Sequence, residues 1–216
     1  MRRPAYLDLP DSLFIEKVET LEAALAGCNL CPRGCGVNRL EGETGFCRTG
    51  ALPVVSSWGP HFGEERPITG LSGSGTIFFT HCNLGCIYCQ NYTISHLGDG
   101  AEISVERLSE IMLSLQRQGC HNINLVSPTH QVPMIVRALF LARERGLSIP
   151  LVYNTGGYDS TRVLRVLEGM VDIYMPDFKY ADPEVSEKLS DAPDYPEVAK
   201  EAIREMHRQV GDLVMD

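Results

Sequence analysis

Apolar and polar residues alternate along most of the chain in a pattern of short strands and amphipathic helices. Short apolar runs predict strands at residues 76–80, 122–126, 149–153 and 171–175. Apolar residues at helical spacing predict helices that follow these strands, at residues 104–118, 130–145, 160–168 and 195–209. Strands and helices that alternate in this way form βαβ units with a parallel sheet. We therefore expect an α/β fold, a partial (β/α) barrel, because four βα units cannot close an ordinary barrel.

The N-terminal third of the chain has a different character. Apolar residues at helical spacing predict a first helix at residues 11–26. From Cys28 to about Gly75 the chain is rich in glycine, proline and cysteine and shows no lasting periodicity. We therefore expect an N-terminal helix and Cys-rich loop module at residues 1–75, followed by the partial barrel at residues 76–216.

Composition narrows the class of protein. The net charge of −9 argues against a broad surface for nucleic acid or anionic membranes. No run approaches the ~20 apolar residues of a membrane span, and no apolar segment follows Arg2 and Arg3 as in a secretion signal. Seven of the eight cysteines fall into two tight groups, which is typical of metal ligands. We expect a metal-binding protein of the reducing cytoplasm without nucleic acid or membrane partners.

The second group of cysteines directly follows the first barrel strand. Cys82, Cys86 and Cys89 form a C-x3-C-x2-C motif at the end of a strand where α/β folds place their chemistry. Three thiolates in one loop can bind three corners of a [4Fe–4S] cluster, leaving one iron without a protein ligand. That iron can chelate the amino and carboxylate groups of S-adenosylmethionine (SAM). A zinc site with His81 nearby is the alternative.

The next three predicted strands also end in small or polar residues. Small residues let the backbone approach a ligand, and a paired Asp and Lys can hold a zwitterion or a ribose. Such loops also suit ordinary turns and helix caps, but their common position beside the cysteines favours a SAM site. The candidates are Ser127, Thr129, Asn154, Thr155, Gly156, Asp177 and Lys179. His130 is either a helix-start residue or a proton donor in the same pocket.

The first group of cysteines comprises Cys28, Cys31, Cys35 and Cys47. Four sulfurs in a Gly-rich segment can bind tetrahedral Zn²⁺ or a complete [4Fe–4S] cluster. The spacing does not separate these two, although a ligand-complete structural site slightly favours zinc. Reduced thiols without a metal are the remaining interpretation. Cys120 stands alone and is expected to be a small buried apolar residue.

Seven stretches resemble the radical SAM proteins that are homologues of pyruvate formate-lyase activating enzyme, in particular their PflX-type branch. They are Cys28–Arg39, Gly42–Cys47, His61–Glu65, Gly73–Thr76, Cys82–Tyr92, Ser127–His130 and Asp177–Lys179. The resemblance implies a [4Fe–4S] cluster on Cys82, Cys86 and Cys89 beside the aromatic Tyr88, with SAM as cofactor. It also implies a barrel that normally has six strands.

The resemblance implies catalytic residues as well. Activating enzymes carry an Asp-x-Lys motif at the active site, and Asp177 and Lys179 match it. They also carry a Gly-Gly-Glu motif that meets the SAM amine, and Ser127-Pro128-Thr129 stands in its place here. The substrate class implied is a protein residue, as in the glycine backbone of glycyl-radical enzymes.

The expected activity is reductive cleavage of SAM to methionine and a 5′-deoxyadenosyl radical, which abstracts hydrogen from a substrate. The expected partners are SAM, an electron donor such as flavodoxin or ferredoxin, and a protein substrate. A non-catalytic Fe–S or zinc protein, acting in electron transfer or as an interaction module, is the alternative. SAM-dependent formation of 5′-deoxyadenosine distinguishes them. Because four units leave an open parallel edge, we expect the isolated 216 residues to be poorly soluble or incomplete as a catalyst.

Overall fold

The structure, a computed structural model, describes residues 3–214. The α-helices are α1 (Asp11–Ala23), α2 (Arg66–Thr69), α3 (Tyr92–Ser95), α4 (Val105–Arg117), α5 (Val132–Glu144), α6 (Thr161–Val166), α7 (Pro183–Ser190) and α8 (Tyr195–Val210). The strands are β1 (Val54–His61), β2 (Ser74–Phe79), β3 (Ala101–Glu102), β4 (Ile123–Val126), β5 (Leu151–Thr155) and β6 (Ile173–Pro176).

In the described part of the chain the strands form one six-stranded sheet in the order β3-β1-β2-β4-β5-β6. β2 pairs in parallel with β4, β4 with β5, and β5 with β6, and these four strands correspond to the four that the apolar runs predict. Most of their residues are apolar, as is typical of parallel strands that are covered on both faces, although Thr76 and Asn124 are buried polar residues. The predicted α/β class with a largely parallel sheet is confirmed.

The prediction that residues 28–75 are loop throughout is wrong at β1, which pairs antiparallel with both β2 and β3. Val54 and Val55 are buried at its start, whereas Ser57 and Trp58 are exposed. The ladder also shifts between Val55 and Ser57. Such an irregularity interrupts the period of two that identifies a strand in a sequence. One strand of the sheet therefore comes from the segment assigned to the Cys-rich module.

Helix α7 is also absent from the sequence-based prediction. The Asp182 side chain accepts a hydrogen bond from the Glu184 backbone N–H at 2.8 Å, and Pro183 occupies the first helical position. Both features are start signals of helices. The helix is only eight residues long and mostly polar, so its periodicity is too weak to stand out.

The predicted N-terminal helix forms as α1 and packs on α5. The rings of Phe14 and Phe140 lie 5.3 Å apart, and Arg137 forms a bidentate ion pair with Glu22 at 2.8 and 2.6 Å. The buried face of α1 belongs to the same apolar core as the sheet. None of the helices in residues 3–214 is long and apolar enough to cross a membrane.

We expect Gly75→Ala to destabilise the sheet. An added Cβ at Gly75 would lie 2.5 Å from the Asn122 carbonyl oxygen on the neighbouring strand segment, which is too close. The free energy of unfolding should fall by about 1–3 kcal/mol, the usual cost of overpacking. Gly59→Ala in β1 is the matched control, since nothing lies within 4 Å of its added Cβ. Urea unfolding measures both, and equal losses would contradict the packing argument.

Candidate functional site

A large cavity of about 870 Å³ lies at the carboxyl ends of the parallel strands. Its volume is within the range of small-molecule sites, at the position where α/β folds bind ligands. Every residue proposed from the sequence for the second cysteine group and for SAM lines it. They are Cys82, Cys86, Tyr88, Cys89, Ser127, Thr129, Asn154, Thr155, Gly156, Asp177 and Lys179.

The cysteine loop of this cavity begins three residues after β2. The backbone N–H of Leu84 points at the Cys82 Sγ with a 3.4 Å separation. Burial raises the pKa of the Cys82 thiol, and the backbone N–H groups of Gly85 and Leu84 act in the opposite direction by stabilising a thiolate. Three sulfurs in one loop with N–H donors form the donor set of an iron–sulfur cluster, so the residues fit that group.

All eight cysteines lie within the described residues and all are free thiols. Within residues 3–214, no three or more His, Cys, Asp or Glu side chains surround one point as ligands of a single metal ion. Cysteines of a cubane bind different irons, so they need not converge on one point. By this criterion neither group of cysteines has the converged sulfurs of a closed zinc site.

Two residues at the cavity have positive φ angles, which residues other than glycine rarely adopt. His81, just after β2, has φ of 67°, and Ser127, just after β4, has φ of 56°. Each costs of order 1 kcal/mol or more, and such strain clusters at functional sites. Both turns redirect the chain directly at the strand ends, which exposes the following loops to the cavity.

Asp177 and Lys179 form an ion pair just after β6, with 2.7 Å between Lys179 Nζ and Asp177 Oδ2. Burial alone lowers the pKa of Lys179, but the hydrogen bond and charge of Asp177 more than offset it and raise the pKa. The Tyr195 hydroxyl of α8 forms hydrogen bonds with the backbone after β5 and after β6. It accepts from the Lys179 N–H at 2.8 Å and donates to the Gly156 carbonyl at 2.8 Å.

Sequence reasoning missed Asp159, which lies beneath the cavity and is 2% exposed. Three hydroxyls donate to its carboxylate: Thr129 at 2.7 Å, Thr155 at 2.6 Å and Tyr153 at 2.9 Å. Burial raises the pKa of Asp159, while these hydrogen bonds lower it by stabilising the charge. In the sequence, Asp159 is an ordinary polar residue ahead of a helix, and no local pattern marks it.

The first cysteine group surrounds a separate, nearly filled cavity of about 10 Å³. Cys28, Cys31, Cys35 and Cys47 all line it, together with His130. The structure thus places His130 away from the large cavity, and the interpretation of His130 as a proton donor in the SAM pocket is wrong. Its buried Nε2 lies 2.8 Å from the Thr80 carbonyl oxygen.

Comparison with known proteins agrees with this architecture. The model of the radical SAM superfamily matches residues 76–215. The chain is 32% identical over 207 residues to Uncharacterized protein MJ0674 of Methanocaldococcus jannaschii, covering 92% of this chain and 56% of that protein. It is 26% identical over 182 residues to Uncharacterized protein MJ0808 of the same organism, covering 73% and 50%.

The chain therefore spans about half the length of the curated relatives that it matches. The superfamily match, in contrast, covers more than half of the chain, including the cysteine loop and the ends of β4, β5 and β6 that line the large cavity. The chain belongs to the radical SAM superfamily.

Proposed function

We propose that this chain carries the catalytic site of a radical SAM enzyme, with a [4Fe–4S] cluster on Cys82, Cys86 and Cys89. One observation carries the proposal: these cysteines and the polar ends of β4, β5 and β6 line the same cavity. When bound, such a cluster would supply the electron for reductive cleavage of the C5′–S bond of SAM, which yields methionine and a 5′-deoxyadenosyl radical. The electron comes from an external donor of the flavodoxin or ferredoxin type.

The chain's own residues suit the binding of SAM. The hydroxyl hydrogens of Thr129 and Thr155 point to Asp159, so towards a ligand these oxygens act only as acceptors. Acceptors suit an ammonium group or a ribose hydroxyl. The Lys179 ammonium and the Asp177 carboxylate supply a donor and an acceptor at the end of β6. Tyr88, Ser127, Asn154 and Gly156 complete the proposed contact surface.

We further propose that the protein is of the PflX type and that its substrate is a protein residue. Exposed apolar side chains flank the site: Ile87 and Tyr88 stand between two cluster cysteines, and Phe178 lies between Asp177 and Lys179. Such exposed groups beside a cavity are typical of surfaces that contact another macromolecule. A glycine backbone suits the chemistry because it lacks a side chain and can reach into a pocket.

We also propose that Cys28, Cys31, Cys35 and Cys47 bind a second metal centre, either Zn²⁺ or a complete [4Fe–4S] cluster. Their common cavity supports this assignment. Four cysteines complete the coordination of either group, which suits a structural centre and not one that binds SAM.

Replacing one proposed cluster ligand tests the main assignment. We expect Cys86→Ala to lose the cubane and, with reductant and SAM, to form no 5′-deoxyadenosine, because two thiolates cannot hold the cluster. Iron and sulfide analysis and chromatography of 5′-deoxyadenosine are the measurements. Cys120→Ala is the matched control, since Cys120 is buried in the apolar core. A complete cluster in Cys86→Ala would refute the assignment.

The carboxylate beneath the cavity gives a second test. Asp159→Asn keeps the size of the side chain but removes the charge that orients three hydroxyls. We expect the free energy of unfolding to fall by about 1–3 kcal/mol and SAM binding to weaken about tenfold or more. Urea unfolding and calorimetric titration with SAM measure these effects. Asp212→Asn, at a highly exposed position, should match the wild-type protein in both. An unchanged Asp159→Asn variant would contradict the orienting role.

The substrate class has its own test. The enzyme is mixed with reductant, SAM and candidate glycyl-radical proteins, and electron paramagnetic resonance (EPR) detects the radical. We expect a glycyl radical doublet on the partner protein and accelerated release of 5′-deoxyadenosine. If a small metabolite accelerates that release and no protein radical forms, the substrate is not a macromolecule.

A further inference from the structure

Arg39 is a buried cation beside the first cysteine group. Its side chain is among the largest fully buried ones in the described structure, at 2% exposure. Its Nε donates to the Gly50 carbonyl at 2.8 Å and its Nη1 to the His130 carbonyl at 2.9 Å. Within the described residues, no carboxylate forms an ion pair with it. Carbonyl oxygens satisfy its N–H groups but leave the charge uncompensated, which is costly in an apolar interior.

Metal-bound thiolates would supply the missing negative charge. The Arg39 Nη1 lies 4.0 Å from the Cys28 Sγ. A bound metal deprotonates a coordinating thiol. Four thiolates around Zn²⁺ or around a [4Fe–4S]²⁺ core carry a net charge of about −2, and this argument applies equally to both.

His130 lines the same cavity and has a buried ring nitrogen without a hydrogen-bond partner within residues 3–214. The side chain is 1% exposed, and its Nε2 donates to the Thr80 carbonyl, so Nδ1 carries the lone pair. This buried Nδ1 has no hydrogen-bond partner among the described residues. Buried polar atoms without a partner are uncommon, and each calls for an explanation.

The segment of the first cysteine group directly contacts the loop from Cys82 to Cys89, which we call the cluster loop. Arg33, between Cys31 and Cys35, donates to the carbonyls of Asn83 at 3.0 Å and Leu84 at 3.1 Å. Both carbonyls lie in the loop between Cys82 and Cys86. Arg33 also donates to the carbonyls at the end of α7 and thus ties three segments together.

Phe46 adds an apolar contact to the same loop. The Arg33 guanidinium lies 3.8 Å from the centroid of the Phe46 ring. On its other side, that ring would be only 3.1 Å from a Cβ added at Gly85, so Phe46 packs closely on the cluster loop. Because Phe46 precedes Cys47, coordination of Cys47 fixes the position of this ring.

We infer that the metal centre of Cys28, Cys31, Cys35 and Cys47 fixes the position of the cluster loop. Arg33 and Phe46 are the residues through which the two contact each other. Arg39 is the buried counter-charge of the centre. The inference rests on the proposed function, because it assigns this centre a role towards the cluster of Cys82. Arg33 is a positioning residue, since it contacts the backbone of the loop and no reacting atom.

The test uses the full chain, prepared without oxygen and supplied with iron and sulfide or with zinc. We expect ~4 Fe with ~1 Zn per wild-type chain, or ~8 Fe if the second centre is a cluster. We expect Cys35→Ala to lose that second complement and also the SAM-induced change in the EPR spectrum of the remaining cluster. Cys35 is exposed, so its replacement opens no cavity in the core. Cys120→Ala should keep the metal content and the SAM response.

Arg33→Lys tests separately whether the contacts of Arg33 position the cluster loop. Lysine keeps the positive charge but lacks the planar fork that reaches several carbonyls at once. We expect full metal content with an altered cluster EPR spectrum and a reduced SAM-induced change. Arg162→Lys is the matched control, because Arg162 donates to the Asn29 carbonyl and side chain at 2.8 and 2.6 Å but does not contact the cluster loop.

Three results would overturn the inference. Wild-type protein without metal beyond one cubane would exclude the second centre. A Cys35→Ala variant that loses the second metal but keeps the wild-type SAM response would exclude the positioning role, as would a wild-type spectrum for Arg33→Lys. Absence of the cubane on Cys82, Cys86 and Cys89 in the wild-type protein contradicts the proposed function itself, and the iron removed by Cys86→Ala distinguishes that failure from the others.

Discussion

Parallel pairing of β2, β4, β5 and β6 is the constraint on which the site depends. In parallel strands all carboxyl ends lie at the same edge of the sheet, so four loops that are distant in the sequence meet there. Two features adapt this edge to a ligand. The positive φ angles of His81 and Ser127 turn the chain sharply at the strand ends, and Asp159 orients hydroxyls from two of the loops.

The residues beneath and behind the cavity are charged and buried, which separates them from the apolar core. The buried Asp159 carboxyl accepts hydrogen bonds from hydroxyls, and the buried Arg39 guanidinium donates to carbonyl oxygens. Hydrogen bonds of this kind fix geometry, because a displaced partner leaves a buried charge unsolvated. Both residues thus favour one arrangement of the loops over its alternatives, at some cost in desolvation.

Sequence patterns predict those strands and helices whose formation depends on burying apolar side chains. β4 and β5 are fully apolar at the positions that pack against helices, and α4 and α8 have one apolar face each, so their period is plain. β1 is missed by the sequence pattern because its register shifts and three of its eight residues are exposed. The cavity-lining residues follow from their place after each strand. Asp159, Arg33 and Arg39 could not be predicted in the same way, since their partners come from distant segments and no local pattern marks such contacts.

The two edges of the sheet differ in a way that limits how it can grow. On one side, β1 runs against its neighbours and is followed by β3, which has only two residues. A short, reversed strand of this kind offers few groups for further pairing. On the other side, β6 has one partner among the described strands, and its outer backbone groups face outward. Any additional strand, from the same polypeptide or from another, would therefore join beside β6, next to the Asp177–Lys179 pair.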